Sequence, residues 1–296
     1  MPSESEIRAV QEAFNANGFE IYLVDGLRRY FDFIAKREDA SFIIKCLRNI
    51  DNLGDEAGCE LLKLANAFLA QPLLIGELAG ISRLEDGLVY SRHQIPSLTI
   101  TTAKAIINGD CISKFTSRGR TLVGIEGSTL REMRTKRGMS REELAKALSC
   151  SGQTIYRMEK QNRAEEEMFE RVLNFFGKEI QVPAIQITDG KTENEHELSD
   201  PIKKRIVGEY LRLKLENTAF SNPLDFALDE RLLFTPVSRT ESELRSKQKI
   251  AKSLETALDC KTVHITKEKK TRRLLAISFD ELHAIASKEE ILEKID

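Results

Sequence analysis

"FDFIAKREDASFIIK", residues Phe31–Lys45, sets two short apolar runs on either side of the polar tip Lys36–Asp39. That is the pattern of two strands joined by a tight turn. Upstream, Ile7, Val10, Ala13 and Phe14 recur at helical spacing, and Asn17-Gly18 stops the pattern. Phe19–Val24 reads as a first strand, and Tyr30–Ala35 and Ser41–Leu47 as the hairpin. Downstream, Asp55 or a neighbour opens a helix with an apolar stripe of Leu61, Leu62, Leu64, Ala65, Phe68 and Leu69. Pro72 ends that helix, and Pro72–Ile75 follows as a buried strand. The expected order is α-β-β-β-α-β.

This order resembles the core of the restriction-endonuclease-like fold, with Phe31–Lys45 at its active-site hairpin. The resemblance implies an Asp followed by an acid-x-Lys triplet, two carboxylates holding Mg²⁺ while the lysine orients water. Asp32 and Lys45 match, but the triplet reads Ile43-Ile44-Lys45, and an isoleucine cannot be a ligand. Glu12 on the first helix could stand in, although nothing in the sequence requires it. The expectation is a degenerate centre in which Asp32 and Lys45 pair across neighbouring strands, with no enzymatic activity, no cofactor and no metal.

The 296 residues allow two or three domains, each with a real core. The formal net charge of −2 means that any surface for nucleic acid must be local. The start, MPSESEIRAV, has no secretory pattern, and the apolar stretch Leu73–Ile81 is interrupted by Glu77, so a cytoplasmic location is expected. Cys46, Cys59, Cys111, Cys150 and Cys260 form no C-x-x-C pair and read as buried or half-buried thiols. His93, His196, His264 and His283 are scattered.

The centre differs in charge. Residues Ile112–Arg141 hold eight Lys or Arg against Glu126 and Glu132, a local excess of six. "FTSRGRTLVGIEG" reads as a hairpin with Arg118-Gly119-Arg120 at its tip. Two arginines there suit phosphates, as a wing, and equally suit a solvated turn. In the stretch Gly127–Gly177, Ser128 is expected to cap a helix that Gly138 ends. Ser140 caps a second helix, with Glu143 completing a capping box and Leu144, Ala145 and Leu148 facing inward. After the turn at Ser149-Cys150, Ser151 caps a third helix with Ile155 and Met158 inward.

That succession is helix-turn-helix geometry. It closely resembles the Cro/C1-type helix-turn-helix domain in Ser140-Arg-Glu-Glu-Leu-Ala145, and in Ser151 to Glu159 with Thr154-Ile155. The resemblance implies a structural pair of Arg134 and Glu159, and base contacts from Arg141, Gln153, Thr154 and Arg157. Gln suits adenine and Arg suits guanine. Lys136, Arg137, Ser151, Arg118 and Arg120 are the expected phosphate contacts. Gly152 departs from the usual polar residue, and Arg141 stands where Gln is common.

Thr188–Asp200 is acidic and polar, a linker candidate, and the helix Ile202–Leu215 follows it. Asn222–Val237, "NPLDFALDERLLFTPV", then parallels the opening hairpin, with Asp225 matching Asp32. A helix with Ile250, Ala251, Leu254 and Leu258, a strand at Thr262–Thr266 and the ending Arg273–Ile285 complete a diverged internal duplication. This copy has no lysine on its second strand, and Pro236 suggests an edge position.

Across nearly its whole length the chain resembles a family of archaeal helix-turn-helix transcriptional regulators, through "IIKCLRNIDNL" (Ile43–Leu53), "PLLIG" (Pro72–Gly76) and "VGIEGSTLREMR" (Val123–Arg134). The resemblance implies DNA-dependent regulation. The expected fold class is α/β plus all-α: a nuclease-like domain over 1–111, a basic hairpin and helix-turn-helix over 112–187, an acidic linker over 188–200, and a diverged nuclease-like copy over 201–296. Double-stranded DNA and a second copy of the chain are the expected partners. A Mg²⁺-dependent nuclease guided by the helix-turn-helix, and a protein-binding adaptor, are the alternatives.

Overall fold

A computed structural model describes residues 4–24, 26–27, 30–38, 40–178, 180–185, 200–220, 224–228, 233–266 and 276–293. In chain order the first part runs α1 (Glu4–Ala16), β1 (Glu20–Tyr22), β2 (Phe33–Arg37), β3 (Ala40–Cys46), a 3₁₀ turn (Ile50–Asn52), α2 (Asp55–Ala67), β4 (Gln71–Ile75), the small hairpin β5 (Leu78–Ala79) and β6 (Ser82–Arg83), β7 (Leu88–Arg92), β8 (Ile95–Leu98) and α3 (Ile100–Ile107). The centre comprises β9 (Lys114–Ser117), β10 (Arg120–Gly124), α4 (Gly127–Lys136), α5 (Arg141–Ala147), α6 (Gly152–Gln161), β11 (Arg163–Glu165) and α7 (Glu166–Phe176). The last part is α8 (Pro201–Arg212), β12 (Asn217–Ala219), β13 (Phe226–Leu228), β14 (Leu233–Thr235), β15 (Val237–Ser238), α9 (Glu241–Leu258), β16 (Lys261–Thr262), β17 (His264–Thr266), β18 (Ala276–Ser278), α10 (Phe279–Ala284) and α11 (Lys288–Glu293). The expected acidic linker, except Asp200, lies outside the described residues.

The chain forms two compact units: residues 47–52 and 74–187 build one, and residues 3–46, 53–73 and 188–296 the other. In the second unit β1, β2 and β3 are successive antiparallel neighbours, Ile34 facing Ile43 across the hairpin. Val10, Ala13 and Phe14 of α1 are buried, as their spacing requires, and the Phe14 ring meets Phe19, Phe33 and Phe42 edge-on. Burying Val10 or Phe14 contributes about 1.5–3 kcal/mol. The helix stripe stops short of Leu69, which has φ 45° and is exposed, because α2 ends at Ala67 well before Pro72.

The C-terminal segment repeats this order: a helix, three antiparallel strands, a helix, then parallel strands, with β12-β13-β14-β16 and β15-β17-β18 as its sheets. In the first copy β4 pairs with β8 in parallel and Thr99 caps α3; in the second β17 pairs with β18 in parallel and Ser278 caps α10. Ile206, Tyr210, Phe226, Val263 and Ile265 are among the residues of its core. The expected edge position of Pro236 holds for one of its two neighbours: β14, before it, lies between β13 and β16, while β15, after it, is at the edge of the β15-β17-β18 sheet, and the proline sits in the break between them. Its missing donor costs nothing there, while its carbonyl accepts from Ile265 N–H at 2.9 Å.

The two copies meet within this unit, and the contact is reciprocal. Lys63 of α2 donates to Ala219 O at the end of β12 at 3.2 Å. From the other side, Ile250 of α9 packs over Gly26, just beyond β1, and Lys36 of β2 pairs with Asp259 at the end of α9. Each copy thus sets its long helix against the first strands of the other, the pattern of an isologous pair.

In the first unit β4, β8, β7, β9, β10 and β11 lie side by side. Val123 and Ile125 of the β9–β10 segment share one core with Leu130, Leu144, Leu148, Ile155, Phe169 and Val172 of the helices. Among the described residues, no helix is long and apolar enough to cross a membrane.

Candidate nucleic-acid interface

The helix-turn-helix is built from its caps upward. Ser140 Oγ accepts from Glu143 N–H at 3.1 Å, and the Glu143 carboxylate accepts from Ser140 N–H at 2.7 Å, the expected capping box. Ser151 Oγ accepts from Thr154 N–H at 3.1 Å and starts α6. Between them Ser149, at φ 53°, makes the turn, and Arg171 of α7 donates to Leu148 O at 3.1 Å. The first helix begins earlier than Ser128: Glu126 is its cap residue, and Gly127 is already helical. A side chain at Gly127 would put Cβ 2.6 Å from Glu159 O, so the start of α4 can approach the end of α6 only as glycine.

Ala145 is buried where α5 crosses α6, and Ile155 and Met158 face the same core. This leaves the opposite face of α6 outside. Gln153, Tyr156 and Arg157 are exposed there and Thr154 is half-buried, its hydroxyl within 2.9 Å of the Ser151 hydroxyl.

Glu159, at the other end of α6, is buried and takes two arginines. Arg134 Nε donates to Oε1 at 2.7 Å, as the pairing expectation requires, and Arg134 also donates to Met139 O at 2.7 Å. Arg141 Nε donates to Oε2 at 2.8 Å, and its guanidinium lies 5.2 Å over the Tyr156 ring. Burial raises the Glu159 carboxyl, but hydrogen bonds and charge from the two arginines outweigh it and leave the group below the ordinary carboxylate range. The side chain of Arg141 is thus held against the helix that it was expected to assist. Tyr156 was not singled out in the sequence, and an aromatic on the outer face was its only signal.

The other cations are distributed around this face. Lys136 is exposed at the end of α4. Arg137 donates to Phe175 O at 3.1 Å and stacks on Phe175 and Phe176, 4.8 and 4.7 Å from their centroids, which ties it to the end of α7. At the hairpin tip Arg118 (φ 51°) and Gly119 (φ 74°) both have positive φ, as a type I′ turn requires. Arg118 is exposed, while Arg120 pairs with Glu165 at 2.9 Å. β11 follows α6 directly through Asn162, at φ 53°, and pairs with β10, so the hairpin is registered to the end of the third helix.

At the nuclease-like hairpin, Asp32 Oδ2 accepts from Cys46 N–H at 2.7 Å and Oδ1 from Lys45 Nζ at 3.3 Å. Ile43 is fully buried, and Glu12 is exposed on α1. In the second copy Asp225 Oδ2 accepts from Val237 N–H at 2.8 Å, the same backbone relation. No group of three or more His, Cys, Asp or Glu suited to a metal occurs among the described residues. The five cysteines are free; Cys46 and Cys260 are buried, and burial pushes the Cys260 thiol up to about 12, but Cys111 is exposed against expectation.

A family model described as a PD-(D/E)XK superfamily domain matches residues 3–112, and one described as a helix-turn-helix domain matches residues 127–177. Proteins named "Putative HTH-type transcriptional regulatory protein" are similar over most of their length. The one from Methanococcus maripaludis strain C5 is 30% identical over 297 residues, 91% of this chain and 90% of its own. That from Thermoplasma acidophilum is 27% identical, over 95% of this chain and 93% of its own. That from Methanocaldococcus jannaschii is 27% identical, over 90% and 89%. No solved structure matches the chain.

Proposed function

This chain belongs to the family of archaeal HTH-type transcriptional regulatory proteins, and from that premise we propose that it is a sequence-specific regulator whose helix α6 reads the major groove. The observation that carries this reading is the outer face of α6: Gln153, Thr154 and Arg157 stand on a helix whose start is capped by Ser151 and whose end is braced by Arg134 through Glu159. Gln153, Thr154 and Arg157 contact base edges, and Arg141 reaches the bases from the flank where Glu159 and Tyr156 hold it. Lys136, Arg137 and Ser151 contact phosphates on one side, and Arg118 and Arg120 contact them from the hairpin as a wing.

The functional division follows the sequence: 112–187 binds DNA, 188–200 links, and the copies over 1–111 and 201–296 are scaffolds without nuclease chemistry. A single helix-turn-helix spans few base pairs, so the chain acts in the cytoplasm as a homodimer on an inverted repeat, with half-sites about one helical turn apart. The test is selection of bound fragments from random genomic DNA, followed by stoichiometry on the selected site. A shared inverted repeat with two chains is the expected result. Binding to all fragments alike would remove the specificity, and one chain per site would remove the dimer.

A further inference from the structure

Asp225 is fully buried, and the groups around it come from four elements. Lys247 of α9, also buried, places Nζ 2.6 Å from Asp225 Oδ2, 2.6 Å from Val237 O and 3.0 Å from Glu243 Oε1. The first two are hydrogen bonds and the Glu243 contact is an ion pair. Lys203 of α8 lies 2.7 Å from Asp225 Oδ1, an ion-pair contact outside hydrogen-bonding geometry. Two carboxylates and two ammonium groups make the cluster neutral. His264 on β17 lies close enough to feel the Lys247 charge; burial, reinforced by that charge, pushes its pKa down to about 4, so it adds no charge at neutral pH.

Asp225 stands in the second copy where Asp32 stands in the first, each receiving a backbone N–H from further along the chain, Cys46 of β3 in the first copy and Val237 of β15 in the second. In the first copy the lysine comes from that strand. In the second, Pro236 fills the place next to Val237, and the lysine comes from the helix instead.

We propose that the second copy keeps an oxygen-lined cation site, formed by Asp225, Glu243 and Val237 O, whose resident cation is the chain's own Lys247 ammonium. The site selects a primary ammonium ion by its chemistry. Two hydrogen-bonded oxygens at 2.6 Å and an ion-paired one at 3.0 Å suit an ammonium ion, whereas Mg²⁺ needs oxygens at about 2.0–2.1 Å in octahedral array. Its charge fits as well: without Lys247, Asp225 and Glu243 against Lys203 leave one negative charge, which a monovalent cation neutralises. The site goes beyond the DNA-reading proposal and does not depend on it.

The full-length chain carrying Lys247→Ala tests this. Propylammonium replaces the deleted atoms, three carbons and the ammonium. The melting temperature of the variant is expected to fall, and then to rise with propylammonium chloride to a saturating value. Wild type is expected not to respond beyond its response to NaCl at equal ionic strength. If Lys247→Ala does not fold alone, propylammonium is expected to restore folding. Failure of propylammonium to raise melting or restore folding overturns the proposal, as does an equal response of wild type or rescue by Mg²⁺ alone. Lys247→Met, which keeps the stem without the charge, is expected to be destabilised and not rescued. Wild-type stability in that variant overturns the proposal too.

Discussion

The Nε of Arg134 lies 2.7 Å from Glu159 Oε1, across 25 positions of sequence, and both side chains are buried. The pair joins the first helix of the helix-turn-helix to the end of the third. Removing one partner leaves an uncompensated buried charge, at a cost of about 3–5 kcal/mol. Arg134→Ala is therefore expected to destabilise residues 127–177 by that amount, measured by hydrogen exchange of their amides under native conditions. Protection equal to wild type would refute the pairing's role.

The same pair has a pH signature. Glu159 is held below the ordinary carboxylate range in the folded chain, so the unfolded chain binds its proton first as pH falls. The stability it contributes is complete above the unfolded value of about 4.3 and is lost below it, as pH falls through the depressed folded value. Glu159→Gln should flatten the acid limb of unfolding for this region. An unchanged acid limb would assign that loss to other carboxylates.

His264 acts in a different window. Burial, first, and the nearby Lys247 charge push its pKa down to about 4 from an ordinary 6.5, so the folded chain holds it neutral. The unfolded chain takes up the proton as pH falls through 6.5. Stability from this group is thus complete above about 6.5 and lost progressively down to about 4, by up to about 3 kcal/mol. Denaturant midpoints of wild type should fall between pH 7.5 and 5 by more than those of His264→Leu. Equal slopes would contradict the prediction.

Asp32 is engaged by Lys45 and Cys46 N–H, beside an isoleucine where a second carboxylate would be needed. The purified chain should leave supercoiled plasmid intact with Mg²⁺ or Mn²⁺. Asp32→Ala should cost stability, about 1–3 kcal/mol for the unsatisfied groups it leaves. Metal-dependent cleavage lost in Asp32→Ala would reverse this reading.

On DNA, Gln153→Ala and Arg157→Ala should each cost about 1–3 kcal/mol at particular base pairs and little at others. Lys136→Ala should weaken all sequences alike and lower the slope of log K against log salt by about one. Single-base operator variants titrated at several salt concentrations separate the two behaviours. A uniform loss in Gln153→Ala would mean that α6 is not the reading element.

Some readings of the sequence failed for identifiable reasons. Leu69 continued the apolar stripe on paper, but α2 stops at Ala67 and leaves it exposed. Ser128 had the chemistry of a cap, yet the close approach of Gly127 to Glu159 O starts the helix one residue before it. Pro236 was read as an edge signal because a lost donor is costly in a central ladder; the expected single strand is broken there, and only the part after the break, β15, lies at an edge.

What the sequence alone determined is local. The Ser140–Glu143 box, the Ser151 cap, the Arg118-Gly119 turn and the order of elements in both copies depend on groups a few residues apart, or on periods of two and 3.6. What only the tertiary structure decided depends on distant elements meeting. Arg141 is held by Glu159 and the Tyr156 ring, β10 shares a core with the helices, and Lys247 reaches Asp225 in place of a strand lysine. Buried charges must find partners wherever packing brings them, and that geometry is not written in any single stretch of the chain.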